Sequence, residues 1–279
     1  MDKRVALITG ASSGMGYETA LSLLKEGVTV YGAARRLERM KKLEEKGVHI
    51  LSLDVTDESS IKACVNYILE KESRIDILVN NAGYGSYGAV EDIPIEEVKR
   101  QFEVNVFGLG RLTQLVLPSM RKNNYGKIVN IASMGGRLTA PYGTWYHATK
   151  YAVEAFSDGL RMDLVPFNID VIVIEPGMIK TAWGMIAASN LRKESVESVY
   201  QENAIRTAEY LEKMYQSKSL TEPAVIAKVI TKAVMARKPK TRYLVGYCAK
   251  PYVFIRHITT DRMFDRLSFL FMGLKYRKG

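Results

Sequence analysis

Cysteine is scarce in this chain. Only Cys64 and Cys248 occur among 279 residues, and neither stands in a metal-ligand or redox spacing. That argues against a disulfide framework and a thiolate metal site; both read as free thiols of a reducing compartment, which points to the cytoplasm, and no metal is expected. Long apolar runs are missing too, since no stretch approaches the roughly 18–20 residues that span a bilayer. The opening Met1-Asp2-Lys3-Arg4 runs straight into an apolar strand, without the apolar core and small-residue cleavage site of a signal peptide. The net charge is +10, yet no zinc finger or RNA-binding sheet motif accompanies it, so nucleic acid is not an expected partner.

What is present suits one large globular body. Hydrophobic residues make up 47% of the chain, and α/β folds reach this length undivided. Apolar strand patterns at residues 4–9, 28–34, 48–54, 75–80, 126–133, 169–174 and 242–245 alternate with helical ones, which predicts a doubly wound parallel sheet. Asp57 is placed to cap the helix after the third strand. A long helix is predicted over residues 95–121, with Asn105 in its interior, where an amide needs a partner. Residues 178–220 carry two helical patterns and no strand; with Met178, Trp183, Met185 and Ile186 they are placed as a lid and substrate wall.

The tail departs from this rhythm. From Asp261 onward, Met263, Phe264, Leu267, Leu270, Phe271 and Leu274 recur at helical spacing. Arg256, Arg262, Arg266, Lys275, Arg277 and Lys278 outnumber the two acids Asp261 and Asp265 there. Residues 1–250 are therefore expected to form one domain, and 251–279 an amphipathic extension. It would pack on the body, on a partner subunit or peripherally on a membrane surface.

Several strand ends carry polar or glycine-rich signatures. After the first strand comes Gly10-Ala-Ser12-Ser13-Gly14-Met15-Gly16, then a helix; backbone N–H groups at such a helix start bind phosphate, and glycines let the backbone approach it. The second strand ends in Arg35-Arg36 with no acid. An acid there would hold the ribose 2′-OH of NAD, whereas an arginine suits the 2′-phosphate of NADP. Arg35 is the candidate and Arg36 is read as opening the next helix toward water, so NADP(H) is favoured over NAD(H). Asp54-Val55 ends the third strand, where the carboxylate can accept from an adenine amino group. Asn81-Ala82-Gly83 follow the fourth, Ser133 ends the fifth, and Pro176-Gly177 follow the sixth.

Tyr146 and Lys150 are four residues apart, on one face of a helix. An ammonium beside a phenol favours the phenolate, so the pair is expected to lower the Tyr146 pKa and serve proton transfer near neutral pH.

Taken in order, these residues resemble the short-chain dehydrogenase/reductase family across residues 4–246. Thr9-Gly10-x-x-x-Gly14-x-Gly16 is similar to its cofactor loop, Asn80-Asn81-Ala82-Gly83 to its central strand motif, and Asn105, Ser133, Tyr146 and Lys150 to its four catalytic positions. Pro176, Gly177 and Thr181 resemble its nicotinamide-side motif. The stretch from Ser133 to Phe156 looks most like the 17β-hydroxysteroid-dehydrogenase-like and retinol-dehydrogenase-like subgroup.

The resemblance implies a Rossmann-type, mostly seven-stranded parallel sheet flanked by helices, and a homo-oligomer, dimer or tetramer. It implies an NADP(H)-dependent oxidoreductase interconverting a hydrophobic ketone or aldehyde (steroid-, retinoid- or lipid-like) and its alcohol. Tyr146 would donate the proton, Ser133 would hold the same oxygen, Lys150 would lower the Tyr146 pKa and hold the nicotinamide ribose, and Asn105 would support a water. Two alternatives stay open: a polar substrate (sugar, polyol or acyl thioester), for which Lys180, Arg192 and Lys193 supply charge, and a non-catalytic NADP-binding regulator.

Overall fold

A computed structural model describes residues 3–276; the outer ends of the two expected segments, 1–2 and 277–279, lie outside the described residues. The short runs rich in Val, Ile and Leu form strands, because branched side chains pack well on a pleated surface. They are β1 (Val5–Thr9), β2 (Thr29–Ala34), β3 (His49–Ser52), β4 (Ile77–Asn80), β5 (Gly126–Ile131), β6 (Ile169–Pro176) and β7 (Arg242–Val245). All pair in parallel in one sheet ordered β3-β2-β1-β4-β5-β6-β7. The order reverses between β1 and β4, and ligands of such sheets bind at the carboxyl ends beside that point.

The helices between them are α1 (Gly14–Lys25), α2 (Lys41–Glu44), α3 (Glu58–Glu72), α4 (Ile95–Phe102), α5 (Gly108–Lys122), α6 (Thr144–Leu164), α7 (Trp183–Glu194), α8 (Gln201–Tyr215) and α9 (Pro223–Met235). Successive strand residues point to opposite faces, so the sheet builds two cores. Ala6 and Ile8 pack with Leu23 of α1 and Ile226 and Ile230 of α9. Val5 and Leu7 pack on the other face with Ile61 and Ile68 of α3 and Leu112 and Val116 of α5. Each such fully buried side chain stabilises the fold by roughly 1.5–3 kcal/mol. Asp57 caps α3, its Oδ1 accepting from Ser59 N at 2.8 Å and Ser60 N at 3.4 Å.

Two expectations are corrected. The helix expected over 95–121 is interrupted: α4 and α5 are joined by a π-helical turn, Glu103–Phe107. The extension is two helices rather than one, α10 (Ala249–Ile258) and α11 (Asp261–Phe271), because Thr259 leaves the helical region with an extended backbone. No helix among the described residues is long and apolar enough to cross a membrane.

Candidate active site

The glycine loop leaves β1 through Gly10, at φ +66°, a left-handed conformation. A Cβ on Gly16 would come within 2.5 Å of both Asn81 Nδ2 and Gly10 O, so α1 meets the sheet edge only with glycine there. The loop is tied down from β4. Thr9 Oγ1 accepts from Asn81 N at 3.0 Å and Ala82 N at 2.9 Å. Asn81 Nδ2 donates to Thr9 O at 2.9 Å and Gly10 O at 3.3 Å. The Asn81 amide is thus engaged in shaping the loop.

A cavity of about 470 Å³ follows the sheet edge from this loop. Gly10, Ser12, Ser13, Gly14, Met15, Asn81, Ala82, Gly83 and Thr181 line one end; Arg35, Asp54 and Val55 line the other. Arg36 stands, as read, at the start of the next helical turn, Leu37–Met40, and is exposed; from there it also borders the cavity. Arg100 of α4 is a further lining cation that the sequence did not single out; its guanidinium lies 5.7 Å from the Tyr84 ring centre. Asp54 Oδ1 is partly committed, accepting from Thr56 N at 3.0 Å and Thr56 Oγ1 at 2.8 Å. A close-approach glycine loop opening α1, with arginines at the far end, fits a phosphate-bearing dinucleotide.

The four catalytic candidates meet beside this cavity. Ser133, just beyond β5, accepts at Oγ from Gly135 N at 3.0 Å. Tyr146 and Lys150 lie on α6, and Ser133 sits within hydrogen-bonding reach of the Tyr146 phenol. Asn105 is buried in the π-turn and its amide is fully partnered. Its Oδ1 accepts from Tyr84 N at 3.0 Å, and its Nδ2 donates to Tyr84 O at 2.8 Å and Thr149 Oγ1 at 3.0 Å. These bonds satisfy a residue that suits a helix interior poorly, and the wider π pairing makes room for it.

The electrostatics correct one expectation. Lys150 Nζ is 5.9 Å from the Tyr146 ring centre and donates to Ile131 O at 2.8 Å. Burial pushes the Tyr146 phenol up to about 12, with Ser133 pulling the other way, instead of the expected lowering by the ammonium. Burial also pushes Lys150 down to about 8, against the pull of Glu154. Tyr146 is walled by aromatic rings, Trp183 at 5.0 Å and Tyr87 at 6.0 Å between ring centres, so losing hydration of a phenolate outweighs attraction across this distance.

His147 takes a part the sequence reading left unassigned. Its Nδ1 donates to Gly135 O at 2.9 Å while its Nε2 accepts from Ala140 N at 3.1 Å. The neutral ring therefore staples the loop after Ser133, and burial pushes it down to about 4. A chamber of about 200 Å³ opens above Ser133, Tyr146 and Lys150. Pro176, Gly177, Met178 and Trp183 wall it on one side, and Tyr210 and Tyr215 of α8 on another. Met185 and Ile186, expected on the same wall, do not line it; Ile186 borders the dinucleotide cavity.

An α/β sheet with a phosphate-type glycine loop beside a buried tyrosine, serine and lysine defines an oxidoreductase of the dinucleotide-binding class. The family model for short chain dehydrogenases matches residues 4–192, and the chain belongs to that family. It is 39% identical to the probable short-chain type dehydrogenase/reductase VdlC of Helicobacter pylori, over 94% of this chain and 96% of that protein. It is 37% identical to 3-ketodihydrosphingosine reductase of Bacteroides thetaiotaomicron, over 88% of this chain and 89% of the relative. The crystal structure of an actinorhodin polyketide ketoreductase variant with NADPH superposes with a TM-score of 0.73 at 32% identity, covering 86% of this chain and 94% of that one.

Proposed function

We propose that this enzyme is an NADP(H)-dependent reductase of hydrophobic ketones, forming the secondary alcohol. One juxtaposition carries the reading: the Tyr146 phenol and Ser133 hydroxyl meet at the floor of an apolar chamber adjoining the dinucleotide cavity. When bound, a nicotinamide supplies the hydride. Tyr146, held protonated by burial, gives its proton to the carbonyl oxygen as negative charge develops there. Ser133 Oγ donates to the same oxygen and fixes it. Lys150 contributes positive charge beside Tyr146 and holds the nicotinamide ribose; Asn105 keeps α6 and the Tyr84 segment in register. Gly10, Ser12, Ser13, Gly14 and Met15 would hold the pyrophosphate, and Pro176, Gly177 and Thr181 would flank the nicotinamide.

NADP(H) is favoured because Arg35 and Arg36 stand where β2 ends and no acid does, and a ketoreductase of this fold is known with NADPH. An apolar substrate is favoured over an anionic one. Of the basic residues in 178–220, Lys180 pairs with Glu222, Arg192 with Glu212 and Lys193 with Glu194, and none of the three lines the chamber. That segment serves as the substrate wall. The relative named for reducing 3-ketodihydrosphingosine supports a ketone as the reacting group. Exposed Phe107, Met162 and Val165 suit a homo-oligomer contact, and the free Cys64 and Cys248 suit the cytoplasm.

The test is Tyr146→Phe assayed with NADPH and a panel of hydrophobic ketones. Turnover should fall about 10²–10⁴-fold with NADPH binding retained. Wild-type turnover in the variant would remove Tyr146 from the mechanism.

A further inference from the structure

We propose that the C-terminal helices complete the substrate site, forming an outer chamber that takes the alkyl tail of a long, linear ketone; this rests on the ketone-reductase reading above. The catalytic chamber does not end at α8. Leu138, Ala140, Tyr210, Tyr252 and Met272 border both it and a second cavity of about 50 Å³. Beyond that shared wall the second cavity is lined by Ile255 of α10 and by Phe264, Leu267 and Phe271 of α11. The Tyr210 and Tyr252 hydroxyls are 3.3 Å apart and hydrogen-bond at the wall, α8 to α10.

The extension is anchored where it roofs this cavity. Phe264 and Leu274 are buried, Lys275 Nζ pairs with Glu202 of α8 at 2.6 Å, and Lys275 N donates to Asn203 Oδ1 at 3.3 Å. The roof therefore comes from a segment beyond the matched family region, which stops at residue 192.

Shape and chemistry select the occupant. Among the described residues, Lys150, at the reacting end, is the only Lys, Arg, Asp or Glu lining either chamber. The outer space is a quarter of the inner one, enough for part of an extended methylene chain. A ketone group placed at Ser133 and Tyr146 would send its chain past Leu138 and Met272 and under α11. Tyr210 and Tyr252 would part or turn to admit it.

The experiment uses the full chain with NADPH, a homologous series of linear methyl ketones and one fused-ring ketone. For the wild type, kcat/KM should rise roughly fourfold per added methylene until the outer chamber is full, then level off. Ser268→Phe and, separately, Leu267→Phe put bulk into the outer chamber. Each should lower the long-to-short ratio of kcat/KM at least tenfold. A flat chain-length series, or a ratio that neither substitution moves, overturns the tail chamber while leaving the reductase reading in place. No turnover of any ketone, linear or fused, overturns the reductase reading and this inference with it.

Discussion

Asn105 Nδ2 donates to Thr149 Oγ1 at 3.0 Å, which bolts the π-turn between α4 and α5 to α6 at the residue before Lys150. Thr149 Oγ1 in turn donates to Tyr146 O at 2.7 Å, so one chain of hydrogen bonds runs from Asn105 to the backbone of the tyrosine. Asn105→Ala would strand the Tyr84 N–H and C=O in a half-buried site. Leaving buried polar groups unpaired costs roughly 1–3 kcal/mol each, so the variant should lose about 2–6 kcal/mol in urea unfolding. Its kcat should fall more than its NADPH affinity. A fully stable and fully active variant would show that the bolt has no part in positioning α6.

Proton supply should follow Lys150. With Lys150 near 8 and Tyr146 near 12, both groups carry their protons below pH 8. The rate of ketone reduction should therefore be level below pH 8 and decline above it, while alcohol oxidation should rise over the same range. Stability moves the other way from the usual lysine pair: a buried lysine lowered from 10.5 costs stability below pH 8, and that cost is relieved as pH rises from 8 toward 10.5. A pH–rate profile for reduction that breaks only above 10 would show that burial does not set the Lys150 pKa.

His147 makes acid stability a readout of the loop after Ser133. Its folded value near 4 lies below the ordinary 6.5, so the unfolded chain binds the extra proton first. The stability it contributes is complete above pH 6.5 and is lost as pH falls from 6.5 to 4, on the order of 3 kcal/mol in total. His147→Gln should lower the melting temperature at pH 7 and flatten its dependence on pH between 4 and 6.5. An unchanged slope would assign the acid sensitivity elsewhere.

Arg35 and Arg36 should act together on cofactor choice. Charge-assisted hydrogen bonds are worth roughly 1.5–3 kcal/mol each. The double change Arg35→Ala with Arg36→Ala should therefore weaken NADPH binding at least about 10-fold and leave NADH binding within about twofold, read by calorimetry. Equal loss for both cofactors would mean that the arginines act on the pyrophosphate or on the fold rather than on a 2′-phosphate.

Sequence motifs and three-dimensional placement divide this molecule unevenly. The glycine loop, Ser133, Tyr146 and Lys150 were legible because each sits at a strand end or one helical turn apart, where local geometry dictates the neighbours. Asp57 was legible for the same reason. The π-turn around Asn105 was not, because a helix opens its pairing only when a packed partner, here Tyr84 and Thr149, offers the amide something better. The role of His147 was hidden because its partners, Gly135 in the short helical turn Met134–Gly136 and Ala140 in the irregular loop after it, lie in a connection that no periodicity places. Arg36 was legible as a helix start because it directly precedes the turn at Leu37–Met40.

By itself, then, the sequence determined the order of strands and helices, the glycine loop and the candidate reacting side chains, since these follow from short-range periodicity and spacing. The tertiary structure alone decided their electrostatics and the shape of the chamber beside them. Tyr146 is raised rather than lowered because Tyr87 and Trp183, from distant parts of the chain, exclude water from it. Met272 reaches the chamber that Tyr146 lines because α10 and α11 fold back over α8. Desolvation and enclosure are properties of packing between residues far apart in sequence, and no local pattern encodes them.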